Sequence, residues 1–166
     1  MHQTNSRFPL LILISLGLVT CPLRGHADTV QFPKDNPSFS IELPSGWKAM
    51  ASSPGFFKEG GEGQLQINPV PASANVTDAD RAKAALCDLA KKEASLISGA
   101  KCSEVTELTV ADQPAFSVVV SGDSSMEYVI FSADGAKWFV GNSMYGKPDQ
   151  KDFGNKPLLS AIKPLE

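Results

Sequence analysis

The sequence predicts an α+β domain in which an antiparallel sheet meander packs against one long helix and one short C-terminal helix. Two observations predict this class. In a single long segment, at about residues 77–98, apolar residues recur at steps of three and four, as they do on one face of a helix. Before and after this segment they alternate with polar residues, which is the period of half-buried strands.

The first 27 residues have the pattern of a cleavable export signal. Arg7 precedes an apolar run from Leu10 to Val19, and residues 25–27 place small side chains at a cleavage site. The run is much shorter than the roughly 20 residues that a membrane-spanning helix needs. We therefore expect a mature protein that begins near Asp28, has no transmembrane span, and is periplasmic or secreted. Lipid attachment at Cys21 is the alternative route of processing.

Removal of this signal leaves an acidic chain without histidine. His2 and His26 both lie within it, as do Arg7 and Arg24, so Arg81 is the one arginine that remains. Serine and cysteine nucleophiles most often need a histidine base, and zinc and copper sites use histidine or clustered cysteine. An acidic chain with one arginine also lacks the basic surface that nucleic acids bind. We predict no catalytic residue, no metal site, no cofactor and no nucleic-acid partner.

Two strands are predicted at the start of the mature chain. Residues 28–38 contain two prolines and are interpreted as an extended lead-in with little fixed structure, which places the domain itself at 39–166. Residues 39–43 alternate apolar and polar side chains, the pattern of a half-buried strand. Pro44-Ser45-Gly46 then predicts a turn into a return strand at 47–51, which gives a first hairpin.

A second hairpin is predicted from Phe56-Phe57 through the glycine-rich tip at 59–63 to residues 65–67, ending at Pro69. Two adjacent phenylalanines on one strand face opposite sides of the sheet. One of them is then available to a protein partner, unless the C-terminal helix covers it. The predicted partner contact consists of Phe56, Phe57, Glu59 and Glu62. Calcium at this tip is disfavoured because two carboxylates fall short of the six or more oxygens it needs.

The long helix is predicted to begin with Thr77 as its N-cap and to end near Gly99. Acidic residues in its first turn complement the helix dipole. Its apolar stripe consists of Ala82, Leu86, Leu89, Ala90 and Ile97. Thr77 also completes the N-glycosylation pattern Asn75-Val76-Thr77, but helix capping explains the same residues.

Cys87 and Cys102 are predicted to form a disulfide, since a cysteine pair that remains after export is usually oxidised. The predicted helix makes this bond difficult. A helix that continues to Ser98 extends about 16 Å beyond Cys87, whereas bonded cysteines have Cα atoms within about 7 Å. The disulfide therefore requires the helix to end nearer Ala94 or to bend in its last turn. In the alternative, Cys87 is a small buried residue and the thiols stay apart.

Alternation returns after Glu104 and predicts a meander of four strands that ends near Met144. Within it, Asp134-Gly135 predicts a tight primed turn, in which both central residues have positive φ. The tail at 149–162 has room for one short helix, with Pro157 acceptable in its first turn.

The chain resembles the PsbP-like (Mog-like) fold family in three places. Residues 39–47, Phe-Ser-Ile-Glu-Leu-Pro-Ser-Gly-Trp, are similar to the opening of many members. A strand at Asp112-Gln113-Pro114-Ala115 and a meander through Tyr128 to Tyr145 follow the long helix in a similar order. The resemblance, to an exported bacterial-type member, implies the fold. Members are mostly non-enzymatic binding or accessory proteins, and the family has no catalytic motif to transfer.

The function predicted from these observations is that of an exported, non-catalytic protein-binding or accessory domain of the cell envelope or periplasm. The first alternative is a periplasmic immunity or inhibitor protein that captures a secreted toxin or enzyme, for which we expect a basic partner and salt-sensitive binding. The second is a histidine-free hydrolase, which needs two carboxyl groups about 5 to 9.5 Å apart in a concave pocket. Its candidate acids are Glu42, Glu104, Glu107 and Glu127.

Overall fold

The computed structural model describes residues 28–51, 53–61, 63–145 and 152–165. The predicted export signal at 1–27, the predicted lipid site Cys21 and the predicted contact residue Glu62 lie outside the described residues.

Eleven strands, two α-helices and one short 3₁₀ helix (Ala72–Ala74) make up the described part of the chain. In chain order the strands and α-helices are β1 (Thr29–Phe32), β2 (Phe39–Glu42), β3 (Trp47–Ala49), β4 (Gly55–Lys58), β5 (Gln64–Pro69), α1 (Ala79–Leu96), β6 (Lys101–Cys102), β7 (Thr106–Val110), β8 (Gln113–Ser121), β9 (Ser125–Ser132), β10 (Trp138–Tyr145), α2 (Lys156–Leu159) and β11 (Ile162–Pro164).

These strands form two antiparallel sheets. The large sheet has the order β3-β4-β5-β10-β9-β8-β6, with β7 also paired to β8. The small sheet has the order β1-β2-β11, so strands from the two ends of the described chain flank β2. Antiparallel sheets with one long and one short helix confirm the predicted α+β class.

Apolar clusters lie on both faces of the large sheet. On one face, α1 covers part of the sheet and buries Ala82, Leu86 and Ala90 in a cluster with side chains of β8 and β9. On the other face, the small sheet and α2 pack on the large sheet, with Phe39 of β2 touching the ring of Phe139 of β10 at a centroid distance of 4.9 Å. The helix packs against β6, β8 and β9. Helix α1 therefore covers one half of this face of the large sheet and does not reach the other half.

The predicted first hairpin is wrong. The turn at 44–46 forms, with Trp47 N donating to Pro44 O at 2.9 Å. However, β2 belongs to the small sheet and β3 is the edge strand of the large one. The turn therefore carries the chain from one sheet to the other, because Phe39 and Ile41 complete a core between the two sheets.

The lead-in at 28–38 is also more ordered than expected, because it contains β1. This strand pairs with β2 over Thr29–Phe32. Phe32 anchors it, since the ring is buried and stacks on Phe39 at 5.4 Å.

Helix α1 begins and ends two residues inside the predicted range of 77–98. Its N-cap is Asp78 rather than Thr77, and the Asp78 carboxylate accepts a hydrogen bond from Arg81 N at 2.9 Å. The Thr77 hydroxyl instead donates to Asp78 Oδ2 at 3.0 Å. Gly99 has a φ of +75° just beyond the helix, where the chain reverses towards β6.

The turn at Asp134-Gly135 joins two strands as predicted, but it is not a two-residue primed turn. Gly135 has positive φ whereas Asp134 does not. The Asp134 carboxylate accepts hydrogen bonds from Ala136 N and Lys137 N, both at 2.9 Å, and this side-chain turn replaces the tighter one. The two-residue turn with positive φ at both positions is Ala111-Asp112, between β7 and β8.

The tail contains the predicted short helix as α2, with Pro157 in its first turn. Leu158 and Leu159 are buried and hold this helix on the core. The following strand, β11, was not predicted. Two of its three residues are Lys163 and Pro164, which are poor strand formers.

Candidate functional site

The half of the large sheet that α1 does not reach presents a face made mostly of neutral polar side chains. We call this the open face. The pairing register places its residues on one side, because Phe57 lies opposite Lys48 and Gln64, and Gln66 lies opposite Asn142. Alternation along β5 and β10 adds the remaining members. The open face consists of Lys48, Phe57, Gln64, Gln66, Asn68, Asn142 and Met144.

Two large apolar side chains are exposed on the open face. Phe57 is 38% exposed and Met144 is 60% exposed. Its amide side chains are those of Gln64 and Asn68, which are exposed, and of Gln66 and Asn142, which are half-buried. The surface is therefore apolar at two points and elsewhere presents amide donors and acceptors without formal charge.

The two predicted contact phenylalanines are separated by the sheet. Phe56 is 1% exposed and belongs to the core beneath the small sheet. Phe57 points to the other side, onto the open face. Helix α2 packs in the same cluster as Phe56, so it does not cover Phe57. Of the predicted pair, only Phe57 is exposed.

At the edge of the open face, Lys48 Nζ pairs with Glu59 Oε1. Both side chains are more than half exposed, so solvent screens the pair and it adds little to stability. Glu59 is thus held by Lys48, the residue that pairs with Phe57 across the strands.

Tyr128 marks the border between the open face and the part of the sheet under α1, because it lies opposite Asn142. Burial, together with the charge and hydrogen bond of Glu93, raises the pKa of Tyr128 to about 12. The phenol therefore stays neutral at ordinary pH and adds no negative charge here.

Cys87 and Cys102 are free cysteines, which corrects the predicted disulfide. The helix continues past Ala94 to Leu96, so it does not end early as that bond required. Cys102 then joins β6, and its Sγ donates to the carbonyl oxygen of Ala90 at 3.4 Å. Cys87 is half-buried on α1 and Cys102 is exposed.

Three of the four candidate acids of the hydrolase hypothesis are on the surface. Glu42 pairs with Lys163 and Glu107 with Lys83, both at 2.9 Å, and Glu104 is exposed. The hydrogen bond and charge of Lys83 hold the pKa of Glu107 below its ordinary value. All three carboxyl groups therefore lie on outward surfaces and, among the described residues, line no pocket with a second candidate acid.

Glu127 differs from the other three. It is half-buried on the face opposite to the open face, in a pocket of about 180 Å³ that Asp152 also lines. Burial raises the pKa of Glu127, and the charge of Asp152 acts in the same direction. Hydrogen bonds from Asn155 and Ser117 and the charge of Lys156 act against it.

Two acids in one pocket are the arrangement that the hydrolase hypothesis needs, but the pocket is too small for it. Sites for small molecules usually have about 300 to 1,000 Å³. A volume of about 180 Å³ has room for a few water molecules. The geometry does not favour a saccharide substrate here.

Three larger hollows lie elsewhere among the described residues. One of about 870 Å³ runs between β1 and the end of β3, with Val30 and Met50 among its lining residues. Another of about 500 Å³ lies beside Trp138, whose buried Nε1 has no hydrogen-bond partner among the described residues. The third, of about 300 Å³, has Asp112 and Lys163 among its lining residues. None of the three is lined by a pair of carboxyl groups.

The described residues contain no group of three or more histidine, cysteine, aspartate or glutamate side chains that could hold a metal ion. None of the helices described here is long and apolar enough to cross a membrane.

Sequence reasoning missed Met144, Asn155 and the burial of Glu127. A signal existed for two of them. Met144 has the same two-residue phase as Val140 and Asn142, which places it on the same face. Glu127 has the phase of Val129 and Phe131, both fully buried, which indicates the core side rather than solvent. Asn155 had no such signal, since it belongs to no strand.

No family model and no curated protein matches the chain. Among solved structures, it is similar to the solution structure of cyanobacterial PsbP (CyanoP) from Synechocystis sp. PCC 6803. The sequence identity is 15% and the TM-score is 0.51, and the match covers 89% of this chain and 99% of that chain. At this identity the likeness concerns the fold alone. Together with the two antiparallel sheets and the long helix, it shows that this chain has a PsbP-like fold.

Proposed function

We propose that this chain is an exported, non-catalytic protein-binding domain that holds its partner on the open face. The observation that supports this most is the exposure of Phe57 and Met144 on one face of the large sheet. Aromatic residues and methionine are enriched in protein interfaces. A strand face in a sheet is also a rigid platform, so little conformational entropy is lost when a partner binds.

The charge of the open face favours an accessory role over capture of a basic toxin or enzyme. Its charged side chain, Lys48, is already paired with Glu59 at the edge. Capture of a basic partner would use unpaired acids near the apolar contacts, as electrostatic steering requires. Binding to the open face should therefore depend only weakly on salt.

Export is the second part of the proposal, and the sequence pattern of residues 1–27 supports it. If the pattern acts as a cleavable signal, the protein recovered from the envelope or secreted fraction should begin near Asp28. Sequencing of its N-terminus tests this directly. An uncleaved N-terminus on a protein found only in the cytoplasm would contradict export.

The binding proposal is tested by a pull-down from the native envelope or secreted fraction, using the full chain with a C-terminal tag. We expect one dominant protein partner. Replacing Phe57→Asp and Met144→Asp together should reduce its recovery roughly tenfold or more, the scale expected when central interface contacts are lost. The matched control is Leu96→Asp, which changes a side chain that is 72% exposed but lies on α1 rather than on the open face.

Three results would count against the proposal as stated. Equal recovery of the partner with the double variant would show that the open face is not the binding surface. Recovery of no partner at all would contradict a protein-binding function. A partner released by moderate salt would instead favour the inhibitor alternative.

A further inference from the structure

Asn155 joins the C-terminal segment to the large sheet at a buried point. This residue immediately precedes α2 and is 2% exposed. Its side-chain Nδ2 donates to Glu127 Oε2 of β9 at 3.1 Å and to Ser143 Oγ of β10 at 2.5 Å. One amide group thus bonds to two neighbouring strands.

The orientation of this amide follows from its partners. The Ser143 hydroxyl donates its single proton to the backbone carbonyl of Gln64. Ser143 Oγ can therefore only accept from Asn155, which places Nδ2, and not Oδ1, beside Ser143 and Glu127. The Oδ1 atom is left buried and without a hydrogen-bond partner among the described residues. A buried acceptor without a donor destabilises the folded state.

A proton on Glu127 would supply the donor that is lacking. A carboxylic acid and a primary amide can form a cyclic pair with two hydrogen bonds, one in each direction. Nδ2 of Asn155 already supplies one of them to Glu127 Oε2. The second would run from a protonated Oε1 of Glu127 to Oδ1 of Asn155, and ionised Glu127 cannot form it because a carboxylate only accepts.

The groups around Glu127 are consistent with a bound proton. Asp152 and Lys156 face it with opposite charges, and Ser117 of β8 is a hydrogen-bond donor to it. The pocket lining includes Thr106 of β7 but no arginine. Because the two charges oppose each other, the main influence is burial, which raises the pKa of Glu127.

We propose that Glu127 and Asn155 form a proton-operated latch, which fastens the C-terminal segment 152–165 to the large sheet more firmly when Glu127 takes up a proton from solvent. The latch acts on α2, which follows Asn155 directly, and on β11, which follows α2. Leu158 and Ile162 of these elements are buried in the core with β2, so the latch also secures the small sheet. It lies on the face opposite to the open face and does not depend on the proposed function.

The direction of the pH effect follows from this. The folded chain binds the proton more tightly than the unfolded chain, in which the glutamate value is about 4.5. The contribution of the latch to stability is therefore complete below that value. It is lost as the pH rises through the higher pKa of the folded state.

The test combines a titration with exchange measurements on the full chain, purified after its own processing. Carbon NMR of the Glu127 side-chain carboxyl should show a pKa above the ordinary value. Amide-hydrogen protection within 153–165 should increase on acidification. The substitution Glu127→Gln keeps both hydrogen bonds without ionising. It should raise protection at neutral pH roughly threefold to tenfold, the equivalent of one net hydrogen bond, and should abolish its pH dependence.

The control is Glu107→Gln, which neutralises an exposed acid outside this pocket and should leave the pH dependence of 153–165 unchanged. A Glu127 carboxyl that titrates at or below the ordinary value would overturn the latch, even if no variant folds. Lower protection in Glu127→Gln than in the wild type at neutral pH would overturn it as well.

Discussion

The two halves of the large sheet have the same antiparallel backbone but opposite side chains on the face where α1 lies. The covered half, on β8 and β9, presents residues such as Val118, Val120 and Ile130, each at most 2% exposed. The open face, on β3, β4, β5 and β10, presents amides with two isolated apolar residues. The strand residues therefore differ according to whether α1 covers them: those under the helix are apolar, and those beyond it are mostly polar. Phe57 and Met144 are the exceptions on the uncovered half, which is why we assign them a partner.

The largest expected difference between the halves is in stability. Leu86→Ala removes a side chain that α1 buries completely, and should lower the free energy of unfolding by about 2 to 5 kcal/mol. Gln66→Ala, on the open face, should change it by about 0.5 kcal/mol or less. Urea unfolding of both variants measures this. Similar losses in both would mean that the open face is covered by something that the described residues do not show.

A smaller loss of stability is expected from a substitution at the start of α1, the helix that covers one half of the sheet. Asp78→Ala removes the N-cap hydrogen bond to Arg81 N and should lower the melting temperature by less than Leu86→Ala does. The backbone hydrogen bond from Arg81 holds the pKa of Asp78 below its ordinary value of 3.8. The loss should therefore be full above that value and should disappear as the pH falls through the folded pKa.

Asp78→Asn is the matched variant for this position. Asparagine caps a helix about as well as aspartate but does not ionise. We expect it to keep most of the stability and to lose the pH dependence. If Asp78→Ala and wild type melt together at neutral pH, the cap does not hold α1 on the covered half.

The smallest expected effect comes from reduction. With Cys87 and Cys102 free, a reducing agent should leave the melting temperature unchanged. In the native protein, a thiol reagent should modify exposed Cys102 before half-buried Cys87. A disulfide closing this loop would instead be worth roughly 3 kcal/mol, so a clear drop in melting temperature on reduction would show that the bond forms in solution.

Local patterns predicted the elements whose partners are close in the chain. The strands from β7 to β10 and the second hairpin were predicted because each strand pairs with a neighbour in the chain. The first hairpin failed because alternation in 39–43 specifies a buried face but not the sheet that uses it. Strand β11 was missed because two of its three residues, Lys163 and Pro164, are poor strand formers and because it pairs only with β2, far away in the chain.

The candidate site was predictable to a similar degree. Two adjacent phenylalanines on one strand must face opposite sides, which predicts that one of them is exposed but neither which one nor the amides around it. Those amides become one surface only through the pairing of β4, β5 and β10. The Glu127–Asn155 contact joins residues from a strand and an irregular segment, and no period relates them.

The small sheet also has a consequence for how this chain reaches its folded state. Ile41 pairs with Val30, close by in the chain, and with Ile162, about 120 residues further on. Contacts between such distant residues are slow to form, because a long loop must close before they stabilise anything. Until β11 pairs with it, β2 has only β1 beside it. In that state Phe39 and Ile41 remain accessible to non-native contacts. We expect this half of the core to be the last to assemble and the first place where an incompletely folded chain aggregates.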